Sequence, residues 1–476
     1  MKTHTSHNGR AAAPSDNGVG LRGRADGSAA DSLARSAAAE QGAHLTTAQV
    51  LAWLEERTRA HDFQVDRIPI TDMAGWSFDE ETGNLRHHSG RFFTVEGMHV
   101  TIEDRAGGTA ATTWSQPVIC QPEVAILGLL VKEFGGVPHI LMQAKMEPGN
   151  CNVVQLSPTV QATWSNYTGV HKGSPVKYVE YFAEAGKSTV LADVIQSEQG
   201  EWFHHKRNRN VIVQTWDEVP LHEDFCWLTL AQIGELLHRS NVINMDSRSA
   251  LSCVPVERPD EGALHSDKEV LSWFAGARAR YAVTSRLVPL RDVPDWRRTD
   301  TSVEHVREAY FRLVGVSVQA GSREVTSWTQ PLLEPYAQDV AAFLACRVEG
   351  VLHVLAHARP EGGFANGVEI GPTVQYCPGD LARLPGSEPP LFADVVEAAD
   401  EDAVLYSAIH SEEGGRFLNA ENRYLVVDVG QHFDPPQDYR WVTPAQLSSL
   451  VGHGHYLGIQ ARTLLACLNA SGVTTG

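Results

Sequence analysis

No apolar run in this chain approaches the roughly 18 residues a membrane-crossing helix needs, and no apolar stretch follows a basic region at the N-terminus. A membrane protein is therefore not expected, and the chain reads as cytoplasmic. Cysteine is sparse. The seven, at 120, 151, 226, 253, 346, 377 and 467, form no C-x-x-C pair and are odd in number, which argues against a disulfide framework or a thiolate metal site. Positive charge is also short: 39 Lys and Arg face 58 Asp and Glu, a formal charge of −19. Non-specific nucleic-acid binding needs a basic face against phosphates, so it is excluded, and an anionic ligand would require a local basic cluster. G-x-G-x-x-G after a strand, Walker A and H-E-x-x-H are all missing, which removes support for dinucleotide, P-loop and zincin chemistry. None of the 21 histidines has metal-site spacing matched elsewhere in the chain, so no metal or cofactor is expected.

The chain does, however, contain itself twice. Trp114-Ser115-Gln116-Pro117 over Trp328-Thr329-Gln330-Pro331 fixes an offset of 328 − 114 = 214 residues. The same offset aligns Pro158-Thr159-Val160-Gln161 with Pro372-Thr373-Val374-Gln375, Ser197-Glu198-Gln199-Gly200 with Ser411-Glu412-Glu413-Gly414, and Cys253 with Cys467. Two related domains are fused. Residues 1–43 have almost no large apolar side chains and read as a disordered tail. A short helix near Thr47 then leads into the first repeat, 44–254. A connector with one helix (Lys268 to Ala282) spans 255–308, the second repeat 309–470, and a tail 471–476.

Each repeat opens with alternating or β-branched strands: Phe93 to Val100, Val124 to Leu130, Val137 to Ala144, Val176 to Ala183, Thr189 to Gln196 and Asn210 to Trp216 in the first. Each closes with helices, the penultimate one capped by Thr229 or Thr443. The pattern is α+β.

The densest polar constellation is Lys145, Glu147, Asn150, Gln155, Ser157, Thr159, Gln161, Thr163, Asn166 and Tyr167. Alternation puts Gln155, Ser157, Thr159 and Gln161 on one strand face. Such a face is ordinarily a solvated one, but retention of Pro-Thr-Val-Gln between the copies argues for a ligand. Gln196, Ser197, Glu198 and Gly200 form a second cluster suited to a turn where backbone meets ligand, with a capped hairpin as the plain alternative. In so acidic a chain Lys206, Arg207 and Arg209, with Lys145, are where a diphosphate would bind. His139, which recurs as His353, sits among apolar neighbours and reads as a core histidine.

The blocks Trp114 to Pro117, Gln143 to Asn150, Val154 to Tyr167 and Gln196 to Gly200 together resemble the NDP-hexose 2,3-dehydratases of deoxysugar biosynthesis, and the likeness covers nearly everything after residue 45. The resemblance implies two tandem Nudix-like domains with mixed sheets, a homodimer, and a dTDP-4-keto-6-deoxyglucose substrate, with one pocket catalytic and the other a relic. A 3-ketoreductase would work alongside to use the reactive diketo product. The Glu-rich metal helix of true Nudix hydrolases is absent, so pyrophosphate cleavage is disfavoured. A non-catalytic nucleotide-sugar-binding protein is the other alternative.

The implied reaction needs a base at C3, an acid for the departing C2 hydroxyl and donors for the C4 oxygen. Expected roles are Glu198 or Glu147 as base, Tyr167 or Lys145 as acid or enolate stabiliser, and Asn150, Asn166 and Gln196 as positioning groups. Thr159, Val160, Gln161, Ala162, Thr163 and Ser197 would grip thymidine, with Gln155 on the same wall and Trp76 or Trp114 as aromatic platform. In the second copy the corresponding grip is Trp328, Arg359, Thr373, Val374, Gln375, Ser411, Glu412, Glu413 and Gly414. The first copy is expected to react, since Asn150 and Ser157 become Phe364 and Gly371 in the second.

Overall fold

The computed structural model describes residues 27–60, 62–107, 111–163, 176–255, 262–321 and 326–470. Four sheets, two mixed and two antiparallel, with flanking helices form the mixed α+β architecture. Each half contributes one seven-stranded and one five-stranded sheet. In the first seven-stranded sheet Ala125–Phe134 is central. It runs parallel to Arg207–Gln214 on one side and antiparallel to Val137–Met146 on the other. Its first eight residues are buried without alternation because neighbours cover both faces. Asp339–Val348 repeats this between Glu421–Asp428 and Val351–Pro360.

The five-stranded sheets are built by exchange. Phe63–Ile68 lies in the first repeat but pairs with Phe311–Ala320 of the second, from Phe63 opposite Ala320 to Ile68 opposite Gly315. Reciprocally, Tyr281–Val288 pairs with Thr94–Asp104 of the first, ending with Val288 opposite Gly97. Both strands follow a 14-residue helix, Thr47–Ala60 or Asp267–Arg280, and lead into Pro69 or Pro289 and a 3-10 turn. These elements repeat at an offset of 220 (289 − 69) rather than 214. The segment 255–308 thus carries the counterparts of the elements that precede the first repeat's main sheet. Gly97 admits the crossing, since a β-carbon there would lie 2.5 Å from Val293 Cγ2.

Most other expected strands and helices are present, with shifted ends. Val176 to Ala183 is the exception: it forms turns and the short helix Glu180–Ala183, whose Tyr181 and Phe182 plug the sheet. Residues 27–43 also depart from the expected tail. Gly27–Ala37 is a helix that buries Ala29 and Leu33; Ser36 Oγ accepts from Leu230 N–H at 2.9 Å and Thr229 Oγ1 donates to Ala39 O at 2.7 Å. Small side chains let this helix lie close without large apolar area. The terminal helices of both halves, Met245–Leu251 and Ile459–Ala470, pack against each other at the centre of a continuous core. His139 and His353 are core histidines. Each ring engages a strand carbonyl through Nδ1 at 2.9 Å (Val137 or Val351), while Nε2 accepts Ala43 N–H at 2.9 Å or Leu264 N–H at 3.0 Å.

Candidate active site

Each half ends a sheet strand in a Ser-Glu-x-Gly loop, and each loop crosses into the opposite half. The crossings are reciprocal: Gly149 N–H donates to Gly414 O at 2.7 Å, and Gly363 N–H donates to Gly200 O at 2.8 Å. Asn419 N–H returns to Gly149 O at 2.8 Å and His205 N–H to Gly363 O at 2.9 Å. A β-carbon on Gly149 would fall on the Phe417 carbonyl oxygen, so only glycine permits the approach. Two buried arginines hold the loops from behind. Arg248 donates to Ser411 O at 2.7 Å and Arg462 to Ser197 O at 2.6 Å. The Trp-x-Gln-Pro motif supports each loop from its own half. Trp114 and Trp328 donate to Gln116 and Gln330 at 2.8 Å, and those amides donate to the carbonyls of Glu201 and Gly415.

The first pocket joins Lys145, Glu147, Gln161 and Asn244 with residues carried in by the second half's loop. Lys145 Nζ lies 3.2 Å from Glu147 Oε1, which also accepts from Gln161 Nε2 at 2.9 Å; Asn244 Nδ2 donates to Gln161 Oε1 at 3.3 Å. A β-carbon added to Gly415 would stand 3.2 Å from Glu413 Oε1 and 3.9 Å from Glu147 Oε1, so these two carboxyls flank a place with no side chain of its own. Arg416 arrives with the same loop, donating to Gln121 Oε1 at 3.0 Å and stacking 4.5 Å from the Phe93 ring centre.

Carboxyls are crowded here and their protons are held. Burial, then the charge of Glu413, pushes Glu198 up to about 7 although Asn208 donates to its Oε1 at 2.6 Å. Burial raises Asp246 well above the usual range, reinforced by Glu413, Glu198 and Glu147 and opposed by Lys145. Burial also lowers Lys206, against Glu198 and Glu413. Glu147 Oε2, Glu198 Oε2 and Asp246 Oδ1 are buried with no hydrogen-bond partner. Carboxyls in both protonation states, at close quarters and with unengaged oxygens, can take and give protons without a metal ion.

The second pocket is built alike but closed on itself. Glu201 stands where the first has Gly415 (201 + 214), and its carboxylate meets Arg359 at 2.5 Å. Arg359 also grips Glu361 at 2.8 Å. Burial and then Glu201 push Glu361 up to about 8. Gln199, the counterpart of Glu413, donates to Glu412 Oε2 at 2.5 Å, and Glu412 Oε1 accepts from Asn422 at 2.7 Å and Tyr424 at 2.8 Å. Its carboxylate is fully dressed where Glu198 is not. Gln460 replaces Asp246.

The structure separates the sequence candidates into groups. Lys145, Glu147 and Gln161 meet in the first pocket, and Asn150 lies at its glycine crossing, with Gly414 packed on its amide. Gln155 and Ser411 bond each other across the halves at 2.7 and 2.9 Å, while Ser197 holds Glu369 at 2.5 Å. Gln196 donates to Val451 O at 2.7 Å, also across the halves. Thr159 and Thr373 instead stitch diverging strands: their Oγ1 atoms accept from Leu130 and Leu344 N–H at 2.9 Å and donate to Leu141 O and Leu355 O. That structural task accounts for their retention in both copies. Val160, Ala162 and Val374 are core, Thr163 ends the strand, and Gln375 is partly buried on its own strand.

The two expected aromatic platforms pack as supports: Trp76 lies 5.1 Å from the Phe93 ring that carries Arg416. Trp76 is buried and donates to Thr329 O at 3.1 Å, whereas Trp114 lies against Met98, Val100 and Val118. The cations divide because a strand alternates faces: Lys206 points inward to Glu123 O at 2.5 Å, Arg207 is exposed, and Arg209 is forked onto Asp193 at 2.7 and 2.6 Å. Asn166 and Tyr167 lie outside the described residues. Sequence reasoning missed Asp246, Asn244, Arg416, Arg248 and Arg462. Asp246 opposite Gln460 was the available signal, a polar position that changes type between copies.

The sequence model of the family described as NDP-hexose 2,3-dehydratase matches residues 47–254 and again 267–468. An Amycolatopsis orientalis protein named dTDP-4-dehydro-6-deoxy-alpha-D-glucopyranose 2,3-dehydratase is 54% identical over 443 residues, covering 93% of this chain and 94% of its own length. Proteins of the same name from Saccharopolyspora spinosa and Streptomyces violaceoruber are 48% and 47% identical, covering 90% and 89% of this chain and 92% and 97% of themselves. With both repeats matched and the paired pockets accounting for them, the chain belongs to the NDP-hexose 2,3-dehydratase family.

Proposed function

We propose that the protein removes water across C2–C3 of dTDP-4-keto-6-deoxyglucose, giving a 3,4-diketo-2,6-dideoxy sugar nucleotide, and that the first pocket does the chemistry. The observation that carries this is the exchange of Glu201 for Gly415: a carboxylate side chain neutralises Arg359 in one pocket, where the other has only a glycine between Glu147 and Glu413. The three relatives' shared name supplies the substrate.

In a 4-keto sugar the C3 hydrogen is α to the carbonyl and the C2 hydroxyl β to it. Glu147 takes the C3 proton through its unengaged Oε2, and Lys145 opposes the charge that moves onto the C4 oxygen. The electron pair returns to expel the C2 oxygen as water. The resulting enol then ketonises at C3, losing its hydroxyl proton and gaining one at C2. No oxidant or reductant enters the balance. Lys206 and Arg416 are the cations beside the carboxyl cluster, and we assign the diphosphate to their side of the pocket. A homodimer, a cytoplasmic setting and a downstream 3-ketoreductase belong to the same reading; no helix among the described residues is long and apolar enough to cross a membrane.

The test is incubation of purified protein with dTDP-4-keto-6-deoxyglucose in EDTA, with a reductive trap for the diketone and mass spectrometry. The trapped product is expected to be lighter than the substrate by about 16 mass units, one water lost and two hydrogens gained from the trap. Release of dTMP or untouched substrate would overturn the reading.

A further inference from the structure

Asp246 has no role in the scheme so far, yet it is a buried ionisable group of the first pocket. It is 2% exposed, and its Oδ1 has no hydrogen-bond partner. Its backbone is fixed by the neighbouring cap, because Asn244 accepts Ser247 N–H at 2.9 Å while its amide reaches Gln161, which in turn holds Glu147. A buried carboxyl with an idle oxygen costs stability that a neutral amide would not, and the second half has made that substitution: Gln460 stands at the equivalent place. Glu198 is also protonated near neutrality, but its counterpart Glu412 is kept in the second pocket with an equivalent Asn partner, which marks that pair as shared architecture. Asp246 and Glu413 are thus the carboxyls found only in the pocket where Gly415 adjoins Glu147, and of the two Asp246 is the one 2% exposed with an unpartnered oxygen.

We propose that Asp246 is the proton donor to the departing C2 hydroxyl, a role that rests on the first pocket being the site of dehydration. Its carboxylic acid O–H gives its proton to the C2 oxygen as the C2–O bond breaks with its electron pair. The enolate electrons form the C2=C3 bond, the C4 carbonyl is restored, and water leaves. Asp246 is then a carboxylate, and the proton Glu147 removed from C3 restores it, so the enzyme returns to its starting state with no net proton consumed. Burial first, then the acidic neighbours Glu413, Glu198 and Glu147, favours its neutral form, and Lys145 and Lys206 oppose them.

Two partial reactions distinguish this role from a supporting one. In D2O, reversible enolate formation washes deuterium into C3, whereas elimination needs the acid. Asp246→Asn should keep C3 exchange within a few-fold of wild type while elimination falls by about 10²–10⁴, the range for loss of a general acid. Glu147→Gln should lose both. A substrate with fluorine in place of the C2 hydroxyl expels fluoride without protonation, so Asp246→Asn should process it at close to the wild-type rate. That rescue also proves the variant folded. On the wild-type enzyme, the high-pH decline in elimination should be present with the hydroxyl substrate and absent with the fluoro one, a readout that needs no variant. Exchange and elimination falling together in a soluble Asp246→Asn enzyme, or no fluoride rescue, would overturn the assignment. If wild type shows neither exchange nor elimination, it is the dehydration reading that fails.

Discussion

The two pockets are one design carried out twice, and they differ at a few positions that decide everything chemical. The second half ties up more of its charges: Arg359 is held between Glu201 and Glu361, Glu412 accepts three hydrogen bonds, and among its described carboxyls Glu369 alone has an unpartnered buried oxygen. The first half leaves its charges unsatisfied, with Gly415 in place of Glu201, Glu413 in place of Gln199, Asp246 in place of Gln460 and Asn210 in place of Tyr424. Among the described residues, three carboxyls of the first cluster have an unpartnered buried oxygen. A protein keeps such groups at a cost in stability, and the return for that cost is proton transfer in a low-dielectric site. The difference teaches that duplication preserved the frame while the side chains lining the two pockets diverged, and the proposed chemistry belongs to the copy with the less satisfied carboxyls.

The comparison breaks first at the bases. Glu147→Gln should cut the turnover rate by about 10²–10⁴-fold, and Glu361→Gln should leave it near wild type, measured by water loss under saturating substrate. If both variants lose activity alike, the assignment to the first half is wrong. Next is a transplant. Gly415→Glu places the second pocket's side chain in the first, and should lower activity by about 100-fold with little change in melting temperature, since it occupies space needed for a near-attack geometry. Unchanged activity would mean that the vacancy is not where the sugar sits.

Glu198 sharpens the contrast through pH. Its folded pKa, about 7, lies above its ordinary value of 4.5, so its neutral form is favoured in the fold. The contribution is intact below about pH 4.5 and is lost as pH rises through 7, because unfolding then releases a proton. Glu198→Gln should therefore gain stability relative to wild type as pH rises from 5 to 8, by on the order of 3 kcal/mol. Glu412→Gln should gain less, its carboxylate being held by three donors. Chemical denaturation across that pH range checks both. Smallest and most even is the threonine pair: Thr159→Val and Thr373→Val should each cost about 2 kcal/mol by stranding a buried N–H and carbonyl, with the turnover of folded enzyme preserved. A selective loss of substrate affinity in Thr159→Val would restore it to the binding surface.

Much of this was legible because repetition is a property of sequence. The 214-residue offset located matching strands, and Thr229 and Thr443 announced helices through capping boxes with Gln232 and Gln446. Lys145, Glu147 and Gln161 were found from one polar run. Identity between copies, however, proved an ambiguous guide. Pro-Thr-Val-Gln was kept because Thr159 and Thr373 bridge strands, and Trp-x-Gln-Pro because it braces a loop carbonyl. The opposite signal, a position changing type between copies, was present at Asp246 and Gly415 and went unread.

Local pattern determined the strands, the caps, the duplicated order of elements and the polar run that became one wall of the pocket, because those depend on residues near one another in the chain. Pairing Phe63–Ile68 with the second half, Tyr281–Val288 with the first, and each Ser-Glu-x-Gly loop with the opposite pocket was decided only in three dimensions. A strand's hydrogen-bonding groups accept any partner of compatible register, so nothing in either segment names the distant edge it will cover. The composite site follows from that exchange: Glu147 and Glu413, 266 residues apart (413 − 147), flank one space because the halves are threaded through each other.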